Sequence, residues 1–131
     1  MLSEKMRAFL EEPRFAVLAT HMPDGRIQQT VMWYELRGDQ IMMNTTRGRV
    51  KARNLRHDPR VSICVEDGYN YVTIEGRVAD VIDDPEIAVS DIYSLARRYH
   101  GDSGDIKERY PDFQNQPRQT WLIEIERAHD H

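Results

Sequence analysis

Three short reversals fix the kind of sheet this chain can build. Residues 21–25 (His-Met-Pro-Asp-Gly), Arg37-Gly38-Asp39 and Asp67-Gly68 each lie between two apolar runs of strand length. Glycine beside aspartate supplies the backbone conformations of a tight reversal. Parallel neighbours need a crossover of roughly a dozen residues or more, so connections this short impose antiparallel pairing.

Around those reversals the remaining elements fall into place. Ser3 caps a first helix carrying Leu2, Met6, Phe9 and Leu10 at helical spacing, and Pro13 stops it. Residues 15–20 read as a strand. Residues 26–36 read as one long strand, with Ile27, Gln29, Val31 and Trp33 on one side, hairpinned onto a strand over 40–45. A helix over about 49–56 ends at Asp58-Pro59. Strands follow over 60–66 and 69–82, and Gly76 within the second marks a bulge that curls the sheet. Asp83 and Asp84 cap a helix with Pro85 at its first position, and Ala88, Ile92, Leu95, Ala96 and Tyr99 form its apolar stripe. Residues 100–117 are loop-rich, with a turn of helix near 106–110, and 120–126 close the chain as a strand. The expectation is a single domain over 1–131, of the α+β class, built as a small antiparallel barrel with peripheral helices.

Against this scaffold one stretch stands out chemically. The chain carries a formal charge of -4 and a pI near 5.7, which argues against a dedicated nucleic-acid binder. Yet residues 44–57 hold five basic side chains, Arg47, Arg49, Lys51, Arg53 and Arg56, and no acid. Concentrating like charge costs self-repulsion, and an anionic ligand relieves it. Thr45 and Thr46 precede the charges, Gly48 allows close backbone approach, and a helix start adds free N–H groups. The competing reading is a solvated basic helix face.

Other chemistries find no support. The glycine-rich nucleotide loops, the nucleophile elbow and the zinc-protease motif are absent. Cys64 is the sole cysteine, which excludes an internal disulfide, and its apolar surroundings suggest a small core residue. The five histidines show no metal-ligand spacing, and His129 and His131 read as part of a frayed tail. No apolar run reaches membrane-spanning length, so a cytoplasmic protein is expected. With Gln28, Gln29 and Thr30 on a strand paired to 40–45, a planar heteroaromatic ligand would lie along the strands with its phosphate at Arg49 and Lys51.

The chain also resembles a known family, the split β-barrel flavin and deazaflavin oxidoreductases of the pyridoxamine 5'-phosphate oxidase-like superfamily, and within it the branch using coenzyme F420. The resemblance rests on Ala16-Val17-Leu18-Ala19-Thr20 with Asp24-Gly25-Arg26, on the run from Thr45 through Arg49, Lys51 and Asn54 to Val61, and on Val72-Thr73-Ile74-Glu75-Gly76-Arg77-Val78. It implies a homodimer with two cofactor sites at the subunit interface. It further implies that Arg49 and Lys51 hold the cofactor phosphate, with Asn54 in the same motif. Asn44, Thr45 and Thr46 would line the ribityl chain and ring, and Gln28, Gln29, Thr30, Val31 and Met32 would run along the ring. The segment containing Tyr69 and Tyr71 would build the interface near the site.

The function expected on this resemblance is hydride transfer between reduced F420 and an unsaturated organic acceptor. FMN is the alternative cofactor, and a non-catalytic flavin carrier the alternative class. Arg47 and Arg53 at the pocket mouth would suit the acidic tail of the deazaflavin. No side chain is singled out as catalytic; Tyr69, Tyr71, His57 and solvent are all candidate proton donors. No metal and no nucleic-acid or membrane partner is expected.

Overall fold

The computed structural model describes residues 2–101 and 104–131. Helix α1 (Glu4–Glu11) is followed by strands β1 (Ala16–His21), β2 (Ile27–Met32), β3 (Glu35–Arg37) and β4 (Gln40–Thr46). Then come α2 (Val50–His57), β5 (Arg60–Glu66), β6 (Tyr71–Ile82), α3 (Pro85–His100), the short α4 (Ile106–Arg109), a 3-10 turn (Pro111–Asn115) and β7 (Arg118–Asp130). All strand pairs are antiparallel, in the order β2-β1-β5-β6-β7-β4-β3. β2 and β3 form unpaired edges, so the rolled sheet is a split barrel in an α+β fold.

The inner face is one continuous core. Leu10 of α1, Leu18, Met32, Met43, Leu55, Ile63, Ile74 and Trp121 belong to a single buried cluster drawn from every part of the sheet. α3 covers the opposite face of β4 and β7, where Met42 packs with Ile92 and Leu95. Neighbouring strand residues point to opposite faces, so Met43 and Thr45 of β4 enter the barrel while Met42 and Asn44 meet α3.

The single strand expected over 26–36 is two strands. Tyr34 breaks it. Its ring is fully buried, and its hydroxyl donates to the Leu10 carbonyl at 2.8 Å. Its backbone N–H donates to the Tyr99 hydroxyl at 3.1 Å and its carbonyl accepts from Arg98 at 2.8 Å. The Tyr34 backbone is therefore spent on α3 instead of a sheet ladder. In consequence β2 pairs with β1 and only β3 hairpins onto β4, which overturns the expected pairing of Gln28–Thr30 with 40–45. Ile27, Gln29 and Val31 do share a face, but it is the exposed one.

Three other expectations are corrected. β7 starts earlier and ends later than 120–126, and the tail is not frayed: His131 exchanges backbone hydrogen bonds with Tyr71, and their rings stack at 4.4 Å. Cys64 is half-buried on the outer face of β5, outside the core. The bulge at Gly76 is present as a register shift between Glu75 and Gly76. A Cβ there would run into the Glu124 carbonyl oxygen, so the close approach requires glycine.

Candidate functional site: a cation group without acids

The basic stretch becomes the junction between β4 and α2. Arg47 donates its N–H to the Pro117 carbonyl at 2.8 Å, which ties the turn to the start of β7. Arg49 sits at the N-cap of α2, and no side chain caps the helix there. Its guanidinium Nε donates to Thr46 Oγ1 at 3.3 Å. Lys51 is half-buried one residue into the helix; burial and the nearby charge of Arg49 push its ammonium below the ordinary lysine range.

A further cation joins from β7. The β4–β7 register sets Arg118 opposite Thr46, on the same sheet face. Its Nε and Nη2 donate to Gln116 Oε1 at 3.1 and 2.6 Å, and its Nη1 donates to Asn44 Oδ1 at 3.1 Å. Its guanidinium lies 4.4 Å over the Phe113 ring. Burial, and then the charge on Arg49, lower its pKa to about 10, which leaves it charged at neutral pH. Among the described residues, no carboxylate lies within ion-pair distance of Arg49, Lys51 or Arg118. Two partly buried cations, Lys51 and Arg118, beside the exposed Arg49 and with no acid among the described residues, are a donor set suited to a phosphate or carboxylate.

The other residues expected at the site divide into groups. On β2, Gln28, Thr30 and Met32 point inward, while Gln29 and Val31 are exposed. Thr30 Oγ1 is buried with no hydrogen-bond partner among the described residues, so it keeps an unmet donor and acceptor inside the barrel. Asn54 is 3% exposed, and its amide donates to Thr20 Oγ1 at 3.1 Å and to Gln28 Oε1 at 3.5 Å. That bond pins α2 to β1 and β2 and leaves Asn54 turned to the interior. Asn44 is turned away from the barrel: its amide donates to the Ala88 carbonyl at 2.8 Å and to Thr120 Oγ1 at 3.0 Å. Thr45 is buried at 5% exposure, and Thr46 faces Arg49.

The structure therefore groups Thr46, Arg49, Lys51 and Arg118 at the β4–α2 junction, and separately pairs Gln28 with Asn54 inside the barrel. It does not bring Tyr69 and Tyr71 to them. Tyr69 is 95% exposed on a turn, and Tyr71 lies beside the far end of β7, lining a groove of about 290 Å³ with Met6, Phe9 and His131. Arg118 is the residue that sequence reasoning missed. Its one signal was a polar run, Arg118-Gln119-Thr120, directly before the apolar alternation from Trp121.

Comparison with known proteins supports the same reading of the fold. A family model described as pyridoxamine 5'-phosphate oxidase matches residues 2–131. A solved structure described as an F420 reductase is 27% identical, covers 98% of this chain and 98% of its own, and superposes with a TM-score of 0.83. The conserved hypothetical protein Rv2991 of Mycobacterium tuberculosis is 32% identical, with 99% of this chain and 84% of that one covered and a TM-score of 0.82. General stress protein 26 of Bacillus anthracis, 16% identical over 97% of this chain and 91% of its own with a TM-score of 0.70, shares the fold. Among the described residues, no helix is long and apolar enough to cross a membrane, and no cluster of metal-ligating side chains is found. With a family match across 2–131 and a relative 32% identical over 99% of this chain, the protein belongs to the pyridoxamine 5'-phosphate oxidase family, whose oxidoreductases work with flavin-type cofactors.

Proposed function

We propose that this chain is an F420-dependent oxidoreductase, and that the single observation carrying the reading is the acid-free cation group at the β4–α2 junction of an acidic protein. When bound, the reduced deazaflavin supplies the hydride that an unsaturated organic acceptor takes up. The residues present suit such a ligand. Arg49 and Lys51 hold its phosphate by charge-assisted hydrogen bonds, with the uncapped first turn of α2 beside them. Thr46 and Arg49 order the turn. Gln28 and the unpartnered Thr30 hydroxyl supply polar groups on the inner side of β2. The exposed cations Arg47 and Arg53 favour the deazaflavin with its acidic tail over FMN. The protein described as an F420 reductase, similar over 98% of this chain, supports the same choice.

The same reading includes a homodimer in a cytoplasmic setting, with each site completed by a second copy. Strand registers place Val31, Val17, Cys64 and Thr73 in one row across the outer face of β2, β1, β5 and β6. Val31 is 67% exposed, Ile27 52% and Tyr71 40%, so apolar area is left uncovered there. A second copy on this face would bring Tyr69 and Tyr71 toward the cation group that they do not reach within one chain.

Paired titration of the purified protein with coenzyme F420 and with FMN, followed by fluorescence, tests the cofactor. Micromolar or tighter binding of F420, with FMN much weaker, is the expected result. The reverse preference moves the protein to the FMN enzymes. Binding of neither overturns the site. For the dimer, Val31→Glu is expected to halve the mass measured by light scattering, and a wild-type monomer would overturn it.

A further inference from the structure

Arg118 is half-buried, positively charged and, among the described residues, without a carboxylate, a combination that costs free energy unless an anion arrives. Its placement is constructed. A buried hydrogen-bond chain runs from Asp91 through Thr120 (2.7 Å) to Asn44 (3.0 Å) and ends on the Arg118 guanidinium (3.1 Å). Gln116 holds a second edge of that guanidinium and Phe113 one face. These contacts leave the remaining N–H groups of Nη1 and Nη2 without a partner among the described residues, on the sheet face shared with Thr46, which Arg49 contacts.

We propose that Arg118 is a third anion-binding residue, acting with Arg49 and Lys51 on the phosphate-bearing part of the cofactor, and that Asn44 is the positioning residue that aims it. This rests on the function proposed above. It reassigns Asn44, whose amide is spent between α3 and β7, from lining the cofactor to orienting a cation. An arginine suits the task because its planar fork grips two phosphate oxygens while its face stays stacked on Phe113.

The test compares ligands with and without phosphate on the full chain: F420 against its phosphate-free chromophore, and FMN against riboflavin. In wild type the phosphate-bearing member of a pair binds more tightly. Arg118→Gln is expected to weaken that member about tenfold and leave its phosphate-free partner within about twofold. Arg118→Lys is expected to recover part of the loss. Gln116→Glu keeps both acceptor contacts and hands Arg118 a carboxylate; it guards against loss of folding in the first variant and is expected to lower the same discrimination. Unchanged discrimination in folded Arg118→Gln or in Gln116→Glu overturns the assignment and leaves the cofactor reading intact. Wild-type binding of none of the four ligands overturns both.

Discussion

Two arginines sit at opposite ends of one buried hydrogen-bond chain, and their partners differ. Arg37 meets Asp91 at 2.7 Å and Glu35 at 2.8 Å; burial works against its charge, yet the two acids hold its pKa above the ordinary value. Arg118, at the other end, meets among the described residues only the neutral oxygens of Asn44 and Gln116, and its pKa falls. Among the described residues the fold thus supplies carboxylates at Arg37 and none where Arg49, Lys51 and Arg118 gather. Counting charges along the sequence does not separate these cases. The distribution of acids in space does.

The largest effect expected from breaking this contrast is on stability at the Arg37 end. Asp91→Ala removes the acid that both Arg37 and Thr120 use, and is expected to cost about 2 to 3 kcal/mol in chemical denaturation, since Arg37 is partly exposed. Because the same chain anchors Asn44, a loss of cofactor affinity smaller than that of Lys51→Ala should accompany it where the variant remains folded; a larger affinity loss with unchanged stability would reverse the roles given to the two ends. Next, Lys51→Ala is expected to weaken cofactor binding at least about tenfold, about 1.4 kcal/mol, with little change in denaturation. Unchanged affinity would remove Lys51 from the site. Gln116→Glu sharpens the comparison by making Arg118 resemble Arg37: melting should show a gain of up to about 1 kcal/mol. A loss of stability would mean that the Arg118 end tolerates no acid. Smallest is Arg56→Ala, on the exposed side of α2, expected to change stability by no more than about 0.5 kcal/mol and cofactor affinity less than twofold. A large affinity loss there would widen the site to the whole helix face.

Much of the architecture was legible because local signals agreed with it. The turns at Gly25, Gly38 and Gly68 adopt positive φ as tight reversals require, and β5 falls on the expected residues. Asp84 caps α3 through Glu86 and Ile87 as its position before Pro85 suggested. The break at Tyr34 was not legible, because its cause lies in residues 65 positions away: nothing near Tyr34 announces that Tyr99 will take its backbone N–H. At the site, the basic run was plain in the sequence. The place of Arg118 beside Thr46 was not, since it depends on the β4–β7 register. The inward turn of Asn54 and the α3-facing turn of Asn44 were hidden for the same reason: an amide reads alike whether it meets a ligand or a neighbouring strand.

The pairing of β4 with β7 also sets the order in which the molecule can form. Asn44 and Arg118 meet across 74 residues of chain, whereas β1 with β2 and β5 with β6 are joined by short hairpins. Closing a long loop costs entropy before its contacts return anything, so the hairpins form early and β4 waits for β7. The cation group is then among the last features to appear during refolding. A ligand held there adds its stabilisation after the rate-limiting barrier: it should slow unfolding in proportion to its affinity and leave the refolding rate nearly untouched.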